Sequence, residues 1–133
     1  MLADPRGEDI KDKVNAIKQR QEFRPFAPAI LEEFVHQFFD MPRGWDNSRY
    51  MQVVAGCRYP ELYPAIVHRD GTSRVQTVPD DGSPFRKLLE LWYKETGCPM
   101  LLNTSLNIKG QPMVNNHTDA KNFESHYGVK VFN

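Results

Sequence analysis

The sequence has few cysteines and lacks the motifs by which cysteine and histidine bind metals. Its 133 residues include only two cysteines, Cys57 and Cys98, far apart and outside any Cys-x-x-Cys motif. This usage is typical of a reducing compartment in which both thiols stay free. The four histidines form no His-x-x-x-His or His-Glu-x-x-His pair, so we expect no metal site in this chain.

The sequence also lacks a long apolar run and an excess of charge of either sign. It has no apolar stretch near the ~18 residues that a membrane helix needs, and no secretion leader. Its 17 basic and 17 acidic side chains give a formal net charge of +0. We therefore expect a cytoplasmic protein without a membrane partner. The zero net charge argues against nucleic acid as a partner, so any anion site must be local.

The overall composition is typical of a globular protein, with 40% hydrophobic and 26% charged residues. A chain of this length can bury a sizeable core. We therefore expect residues 1–133 to form a single domain.

Polar residues follow an apolar run in the stretch from Pro99 to Pro112. Residues 100–102 predict a buried strand, and Gly110 allows a turn further on. The polar residues after the strand are Asn103, Thr104, Ser105 and Asn107. Short polar side chains at the end of a strand are well placed to bind an anion or a nucleotide. A simple polar turn explains the same pattern.

A lysine lies at the edge of the first predicted helix. Ile10, Val14 and Ile17 recur at helical spacing, which predicts an amphipathic helix over Glu8–Gln21. Lys18 follows this apolar stripe and can reach over the core toward a pocket. Its position alone favours a solvated lysine, or one whose stem covers apolar surface.

Two further arginines are candidate anion ligands. Arg24 lies among aromatic residues and prolines in Phe23-Arg-Pro-Phe-Ala-Pro28, so ordering it for a phosphate or carboxylate costs little entropy. A surface salt bridge explains it equally well. Arg74 shares one face of a predicted strand with Gln76, and this face is either solvated or ligand-binding. His68, at a predicted strand end, is the histidine of most interest.

Periodicity and turn residues predict the remaining elements and the fold class. Residues 1–7 are expected to be turn-like, residues 41–49 to form a loop, and Asp70-Gly71 to form a hairpin turn. Further helices are expected over residues 31–39, 84–97 and 118–127, the second capped by Ser83. Strands are expected over residues 50–55, 65–68, 73–78, 98–102, 111–114 and 129–132. Together they predict an α/β (α+β) domain with a mixed twisted sheet flanked by helices.

Several segments occur in the same order in a known family. They are Leu2-Ala-Asp-Pro-Arg6, Lys18 with Arg20, Phe23–Pro28, His68–Val78, and Leu101–Asn107 with Gly110-Gln-Pro112. In these motifs the sequence resembles the C-terminal region of the ATP-dependent O-carbamoyltransferases, a family of nodulation and antibiotic-tailoring enzymes. The resemblance covers nearly the whole chain.

The resemblance implies a YrdC-like α/β domain that binds carbamoyl phosphate and ATP, with Mg²⁺ accompanying the nucleotide, and forms carbamoyl adenylate. It also implies that a larger N-terminal domain, with an actin-like ATPase fold and a metal site, transfers the carbamoyl group to a small-molecule hydroxyl. Because this chain begins inside the matching region, we expect that domain on a separate subunit or in a longer parent protein.

The resemblance also implies the roles of individual residues. The residues expected to act on carbamoyl phosphate are Lys18, Arg24 and Ser105. The residues expected to bind the nucleotide are Arg74, Asn107, Arg20 and Thr104. One departure is Leu106, where the family more often has phenylalanine, so an aromatic surface beside the expected site is missing.

Two other functions are consistent with the same residues. The chain could be a catalytically incomplete module that binds a nucleotide or docks on a partner carrying the transfer domain. It could also be an RNA-binding domain, as some YrdC relatives are, in which case RNA binding would weaken strongly with salt.

Overall fold

In the computed structural model, which describes residues 1–19 and 26–132, six strands form one sheet. Their order across the sheet is β1 (Leu2–Ala3), β6 (Met100–Asn103), β2 (Ala27–Leu31), β5 (Thr72–Val78), β4 (Val53–Cys57) and β3 (Phe39–Asp40). β2 and β5 run parallel, and the other neighbouring pairs run antiparallel. The prediction of an α/β fold with a mixed sheet flanked by helices is confirmed.

The helices within the described ranges are α1 (Ile10–Lys18), α2 (Val35–Phe38), α3 (Pro84–Thr96) and α4 (His117–Tyr127). α3 begins and ends as predicted, because the Ser83 hydroxyl accepts the Arg86 N–H at 3.2 Å and Gly97 adopts a left-handed φ of 72°. α4 starts slightly earlier than predicted, with Asn116 as its cap. In this part of the chain no helix is long and apolar enough to cross a membrane.

The two faces of the sheet pack against different helices. On one face, Ile30 and Leu102 belong to a core cluster that includes Val14 of α1. On the other face, Leu101 belongs to a smaller cluster that includes Leu89 of α3. Alternate residues of each strand therefore contact opposite helical layers, as the pleat of a strand requires.

Strand β2 is central to the sheet, and the sequence did not reveal it. The sequence-based prediction placed Leu31 in a helix and left the preceding residues in an irregular segment. All five residues of β2 are buried, and Pro28 lies in register with Leu102 of β6. A strand covered on both faces shows a continuous apolar run rather than alternation, and the prolines disguised this run.

Three predicted strands are absent from the described part of the chain. Residues 64–66 form a 3₁₀ turn instead of the strand expected over 65–68, with Ala65 and Ile66 buried. Residues 111–114 and 129–132 are irregular. Phe132 is 80% exposed, so the apolar spacing of residues 129–132 did not indicate a buried strand.

The boundaries of other elements differ from prediction for identifiable reasons. Residues 2–3, expected in a turn, form an edge strand paired with β6. β4 begins at Val53 instead of Tyr50, since Met51 has a left-handed φ of 56° that interrupts the extended chain. The turn at Asp70-Gly71 forms, but it leads only into β5 because the strand expected before it is missing.

The sheet face that contacts α3 changes from apolar to polar along its strands. Leu101 lies in the α3 cluster, whereas Asn103, two residues further along β6, is half-buried. On β5 the same face carries Gln76 and Arg74, and Arg74 is exposed. α3 therefore does not cover this polar end of the face, where the candidate site lies.

Arg86 of α3 is a buried cation that joins three segments of the chain. Its side chain is 5% exposed, and it donates to the Glu33 carboxylate at 2.6 and 2.8 Å and to Glu90 at 2.7 Å. It also donates to the carbonyl of Val78 at 3.1 Å. These bonds hold the pKa of the Glu33 carboxyl below its usual value. Arg86 therefore stabilises the attachment of α3 to the sheet.

We expect Arg86→Met to lower the free energy of unfolding by about 2 kcal/mol at pH 7. This is less than the ~3–5 kcal/mol typical of broken buried ion pairs, because solvent screens the two half-exposed carboxylates. Urea unfolding would measure the difference. Lys87→Met, at the exposed neighbouring position, should behave like the wild type.

The effect of Arg86→Met should also depend on pH. Because folding depresses the pKa of Glu33, its contribution is present above the unfolded glutamate pKa of ~4.3 and is lost as pH falls through the folded pKa. The stability difference between wild type and variant should therefore shrink between pH 7 and pH 3. An equal difference at the two pH values would contradict this assignment.

Candidate functional site

The Lys18 side chain is buried and holds the loop that follows β6. Its Nζ donates to the backbone carbonyls of Ser105 at 2.6 Å and Asn107 at 3.0 Å. It also contacts the Ser105 hydroxyl at 3.3 Å and the Asn107 carboxamide oxygen at 3.1 Å, so this loop supplies four oxygen atoms. Lys18 is only 5% exposed. The interpretation of a solvated lysine, which its position alone favoured, is therefore wrong.

The end of α1 directs Lys18 to this loop. Val14 lies one turn earlier and is in the core, so Lys18 leaves the helix on its buried side. Gln19 then ends the helix in a left-handed conformation, with a φ of 51°. The backbone N–H of Lys109 donates to the carbonyl of Lys18 at 2.9 Å. Both the side chain and the backbone of Lys18 therefore bond to the same loop.

The loop is also held by its own side chains. The Ser105 hydroxyl donates to the Asn107 carboxamide oxygen at 2.6 Å, and the Asn107 amide donates to the carbonyl of Gln111 at 3.2 Å. Leu106 accepts the N–H of Val114 at 3.0 Å through its carbonyl. Ser105 remains exposed, while its hydroxyl is held in place by Asn107 and Lys18.

A cavity of about 410 Å³ opens at the polar end of the sheet. It is lined by Phe26, Ala27, Met51, Arg74, Asn103, Thr104 and Ser105. Ala27 is the first residue of β2, so the cavity lies at the start of that strand. The Arg74 guanidinium and the hydroxyls of Thr104 and Ser105 give this cavity the donors that an anionic ligand requires. We call it the Arg74 cavity.

An amide pair links β6 to β5 beside the Arg74 cavity, and no motif in the sequence indicated it. The side-chain amide of Asn103 donates to the carboxamide oxygen of Gln76 at 2.9 Å. The two residues lie on β6 and β5, which flank β2 on either side. The alternation that placed Gln76 beside Arg74 was the available signal. The partner of Gln76, however, could be found only from the strand order.

A buried serine positions the loop on the other side of the Arg74 cavity. Ser48 is fully buried, and its hydroxyl donates to the carbonyl of Val75 at 2.8 Å. The Met51 N–H donates to the Ser48 carbonyl at 3.3 Å, and Met51 itself lines the cavity. Within a stretch of turn-forming residues, nothing in the sequence distinguished Ser48 from a solvated serine.

The structure brings together most of the predicted site residues that it describes. Lys18, Ser105 and Asn107 are in direct contact, and Ser105 shares the Arg74 cavity with Thr104 and Arg74. Asn107 faces a second cavity. The predicted ligands Arg20 and Arg24 lie outside the described residues.

The histidine of most interest does not contribute to this site. His68 is exposed in the turn before β5, where its backbone N–H donates to the carbonyl of Thr72 at 2.7 Å. Among residues 1–19 and 26–132, no group of three or more His, Cys, Asp or Glu side chains is arranged to hold a metal ion.

We expect Lys18→Met to reduce the free energy of unfolding by about 2 kcal/mol, because hydrogen bonds to a charged group contribute roughly 1.5–3 kcal/mol. Because methionine keeps the apolar part of the side chain, the loss of stability measures the contribution of the ammonium group. Lys13→Met is the matched control, since Lys13 lies on the exposed side of α1 in an ion pair with Asp9, and such pairs contribute little.

The same comparison can be made residue by residue in NMR spectra. Lys18→Met should shift the backbone amides of residues 105–109, whereas Lys13→Met should leave them unchanged. If Lys18→Met kept both the wild-type stability and these amide positions, the lysine would not be holding the loop.

Comparison with known proteins identifies carbamoyltransferase relatives. The sequence model of the family described as carbamoyltransferase C-terminus matches residues 1–132. Nodulation protein NolO of Bradyrhizobium diazoefficiens is 40% identical over 90% of the chain, as is nodulation protein NolNO of Sinorhizobium fredii. A 3'-hydroxymethylcephem-O-carbamoyltransferase of Amycolatopsis lactamdurans is 36% identical over the same share.

These relatives are much longer than the chain. The aligned region covers 23% of NolO, 18% of NolNO and 22% of the cephem carbamoyltransferase. The chain therefore spans about a fifth of the length of the curated relatives that it matches. The resemblance drawn from Lys18, Phe23–Pro28 and Leu101–Asn107 is confirmed by a match across almost every residue, and the chain belongs to the carbamoyltransferase C-terminus family.

Proposed function

We propose that the Arg74 cavity binds carbamoyl phosphate and the phosphates of ATP, and that carbamoyl adenylate forms there for O-carbamoylation of an acceptor hydroxyl. The observation that carries this proposal is the arrangement of donors. The exposed Arg74 guanidinium shares one cavity with the hydroxyls of Thr104 and Ser105, and the Lys18 ammonium lies directly behind Ser105. Membership of the carbamoyltransferase family supports the carbamoyl chemistry.

The proposed reaction concentrates negative charge on phosphoryl oxygens. Carbamoyl phosphate releases phosphate on hydrolysis and leaves carbamate. A carbamate oxygen then attacks the α-phosphorus of ATP, the bond from that phosphorus to the β-phosphate oxygen breaks, and pyrophosphate leaves. Mg²⁺ would enter with the nucleotide, because this ion is commonly bound through substrate phosphates. The protein need only position the reactants and stabilise charge.

The side chains at the cavity differ in what they can do in this reaction. Arg74 is exposed and can form two parallel hydrogen bonds to a phosphate. Ser105 can donate a hydrogen bond from its hydroxyl to a ligand oxygen once it breaks its bond to the Asn107 carboxamide oxygen. Lys18 would fix the loop, and it would contact the ligand where a phosphate oxygen replaces one of the side-chain oxygens around Nζ. The contacts expected for Arg20 and Arg24 remain predictions from the sequence.

Transfer of the carbamoyl group to an acceptor is proposed to require more than this chain. The chain corresponds to about a fifth of the length of relatives such as the cephem carbamoyltransferase. We therefore assign adenylate formation to the Arg74 cavity and acceptor binding to residues that this chain does not contain.

Replacement of Arg74 tests the site directly. We expect Arg74→Met to lower kcat/KM for ATP–pyrophosphate exchange driven by carbamoyl phosphate by roughly 100-fold, the usual loss for one charge-stabilising donor. Because Arg74 is exposed, stability should not change. Arg69→Met, at an exposed position in the turn before β5, should retain full exchange.

Replacement of Ser105 tests the same proposal from the loop side. Ser105→Ala should reduce exchange by at least 10-fold, in the range of one lost hydrogen bond to a charged group. Full exchange in both Arg74→Met and Ser105→Ala would show that the site is elsewhere. Calorimetric binding of ATP and carbamoyl phosphate without any exchange would instead identify the chain as a binding module.

A further inference from the structure

The Arg74 cavity is bordered by a residue with an unfavourable backbone conformation. Among residues 1–19 and 26–132, two residues other than glycine have a positive φ, Gln19 at 51° and Met51 at 56°. Gln19 ends α1, where a left-handed residue is common. Met51 instead follows a turn, and it lines the cavity. Strained residues of this kind concentrate at functional sites, where the surrounding structure holds them in place.

The turn itself does not require a methionine at this position. The Met51 N–H donates to the carbonyl of Ser48 at 3.3 Å, which closes a turn over residues 48–51. Glycine is the usual residue where a turn needs a positive φ, because it has no side chain to clash. Methionine adds a side chain at the cost of strain. The position of that side chain, beside the cavity, indicates what it does.

Hydrogen bonds of Ser48 attach this turn to β5. The Ser48 hydroxyl bonds to the carbonyl of Val75, which is the neighbour of Arg74 in the chain. The backbone N–H of Ser48 donates to the Thr77 hydroxyl at 2.9 Å, and the Ser48 carbonyl accepts the Thr77 N–H at 3.0 Å. Ser48 therefore fixes the position of Met51 relative to the strand that carries Arg74.

The lining of the cavity has an apolar part beside its hydrogen-bond donors. The apolar residues are Phe26, Ala27 and Met51. Phe26 and Ala27 are 3% and 6% exposed, whereas Met51 is partly exposed. Met51 is therefore the apolar lining residue that lies at the opening of the cavity. Its unbranched side chain is flexible, so it can move aside when a ligand enters and then cover it.

The proposed intermediate needs protection from water. Carbamoyl adenylate is a mixed anhydride, and water can attack its carbonyl carbon. The bond from that carbon to the phosphate oxygen then breaks, AMP leaves with one proton of the water, and carbamic acid keeps the new hydroxyl. ATP is consumed without carbamoyl transfer. A site that excludes water prevents this side reaction, and a thioether side chain at its opening offers no nucleophilic oxygen or strong hydrogen bond to hold a water molecule.

We infer that Met51 covers the Arg74 cavity and keeps water from the carbamoyl adenylate, and that Ser48 is the positioning residue that holds Met51 there. This inference rests on the proposed function, because that function supplies the intermediate. Met51 thus determines what happens to the adenylate after it forms, whereas Arg74 acts in its formation.

The test measures formation and hydrolysis of the adenylate in the full chain, with ATP and carbamoyl phosphate and without an acceptor. ATP–pyrophosphate exchange reports formation, and release of AMP reports hydrolysis. We call the rate of AMP release divided by the rate of exchange the hydrolysis ratio. Met51→Ala should raise this ratio by roughly 10-fold or more, because the shorter side chain admits water. Tyr50→Ala is the matched control, since Tyr50 is 82% exposed and is not among the lining residues.

Two further substitutions separate the Met51 side chain from its backbone. Met51→Gly removes the strain as well as the side chain, so it should hydrolyse the adenylate as readily as Met51→Ala and be more stable in urea. Met51→Leu restores a side chain of similar volume and should have a hydrolysis ratio roughly 5-fold below that of Met51→Ala. A wild-type ratio in both Met51→Ala and Met51→Gly would overturn the inference and leave the proposed function standing. Absence of exchange in the wild type would refute both.

The role of Ser48 is tested by combining substitutions. Ser48→Ala should raise the hydrolysis ratio, because Met51 is then no longer held over the cavity. Added to Met51→Ala, it should raise the ratio no further, since it acts through the side chain already removed. If Ser48→Ala fails to fold, Thr77→Val, which removes the hydroxyl that accepts the Ser48 N–H, allows the same comparison. Additive effects of the two substitutions would overturn the assignment of Ser48.

Discussion

The pairing of β2 with β5 on one side and β6 on the other organises the centre of the sheet. Because β2 is buried on both faces, α1 and α3 must lie on opposite sides of it. β5 runs parallel to β2, whereas β6 runs antiparallel to it. The first residues of β2 and β5 therefore lie beside the last residues of β6. Arg74 and Asn103 thus become neighbours of the same cavity.

Lys18 connects this sheet edge to the helical layer. A buried lysine is costly unless oxygen atoms surround it, and here the loop after β6 supplies four of them. The same contacts hold Ser105 and Asn107 in place. The loop oxygens that surround the ammonium are uncharged, so they do not neutralise its positive charge. A cation placed directly behind a polar loop raises the potential on its far side, which favours an anion there. One side chain therefore supports the loop and also makes the potential beside it more positive.

The sequence predicted well those elements whose ends are determined by neighbouring residues. Ser83, Pro84 and Gly97 marked both ends of α3, because capping and left-handed termination need only adjacent residues. β2 was missed because its burial depends on partners distant in the sequence. For the site, Ser105 and Arg74 were recognisable as polar residues in strand-end or strand-face positions. The burial of Lys18 and the Gln76–Asn103 pair follow from helix docking and strand order, which no local pattern encodes.

The contacts of Lys18 have a consequence for how the molecule reaches its native state. Lys18 and Ser105 are 87 positions apart, and the Gln76–Asn103 bond spans 27. Closing such long loops costs chain entropy, which the contacts of the assembled sheet must offset. The residues of the site are therefore brought together by the assembled fold and not by any local segment. A ligand that occupies the site would bind the native state alone and shift the folding equilibrium by mass action.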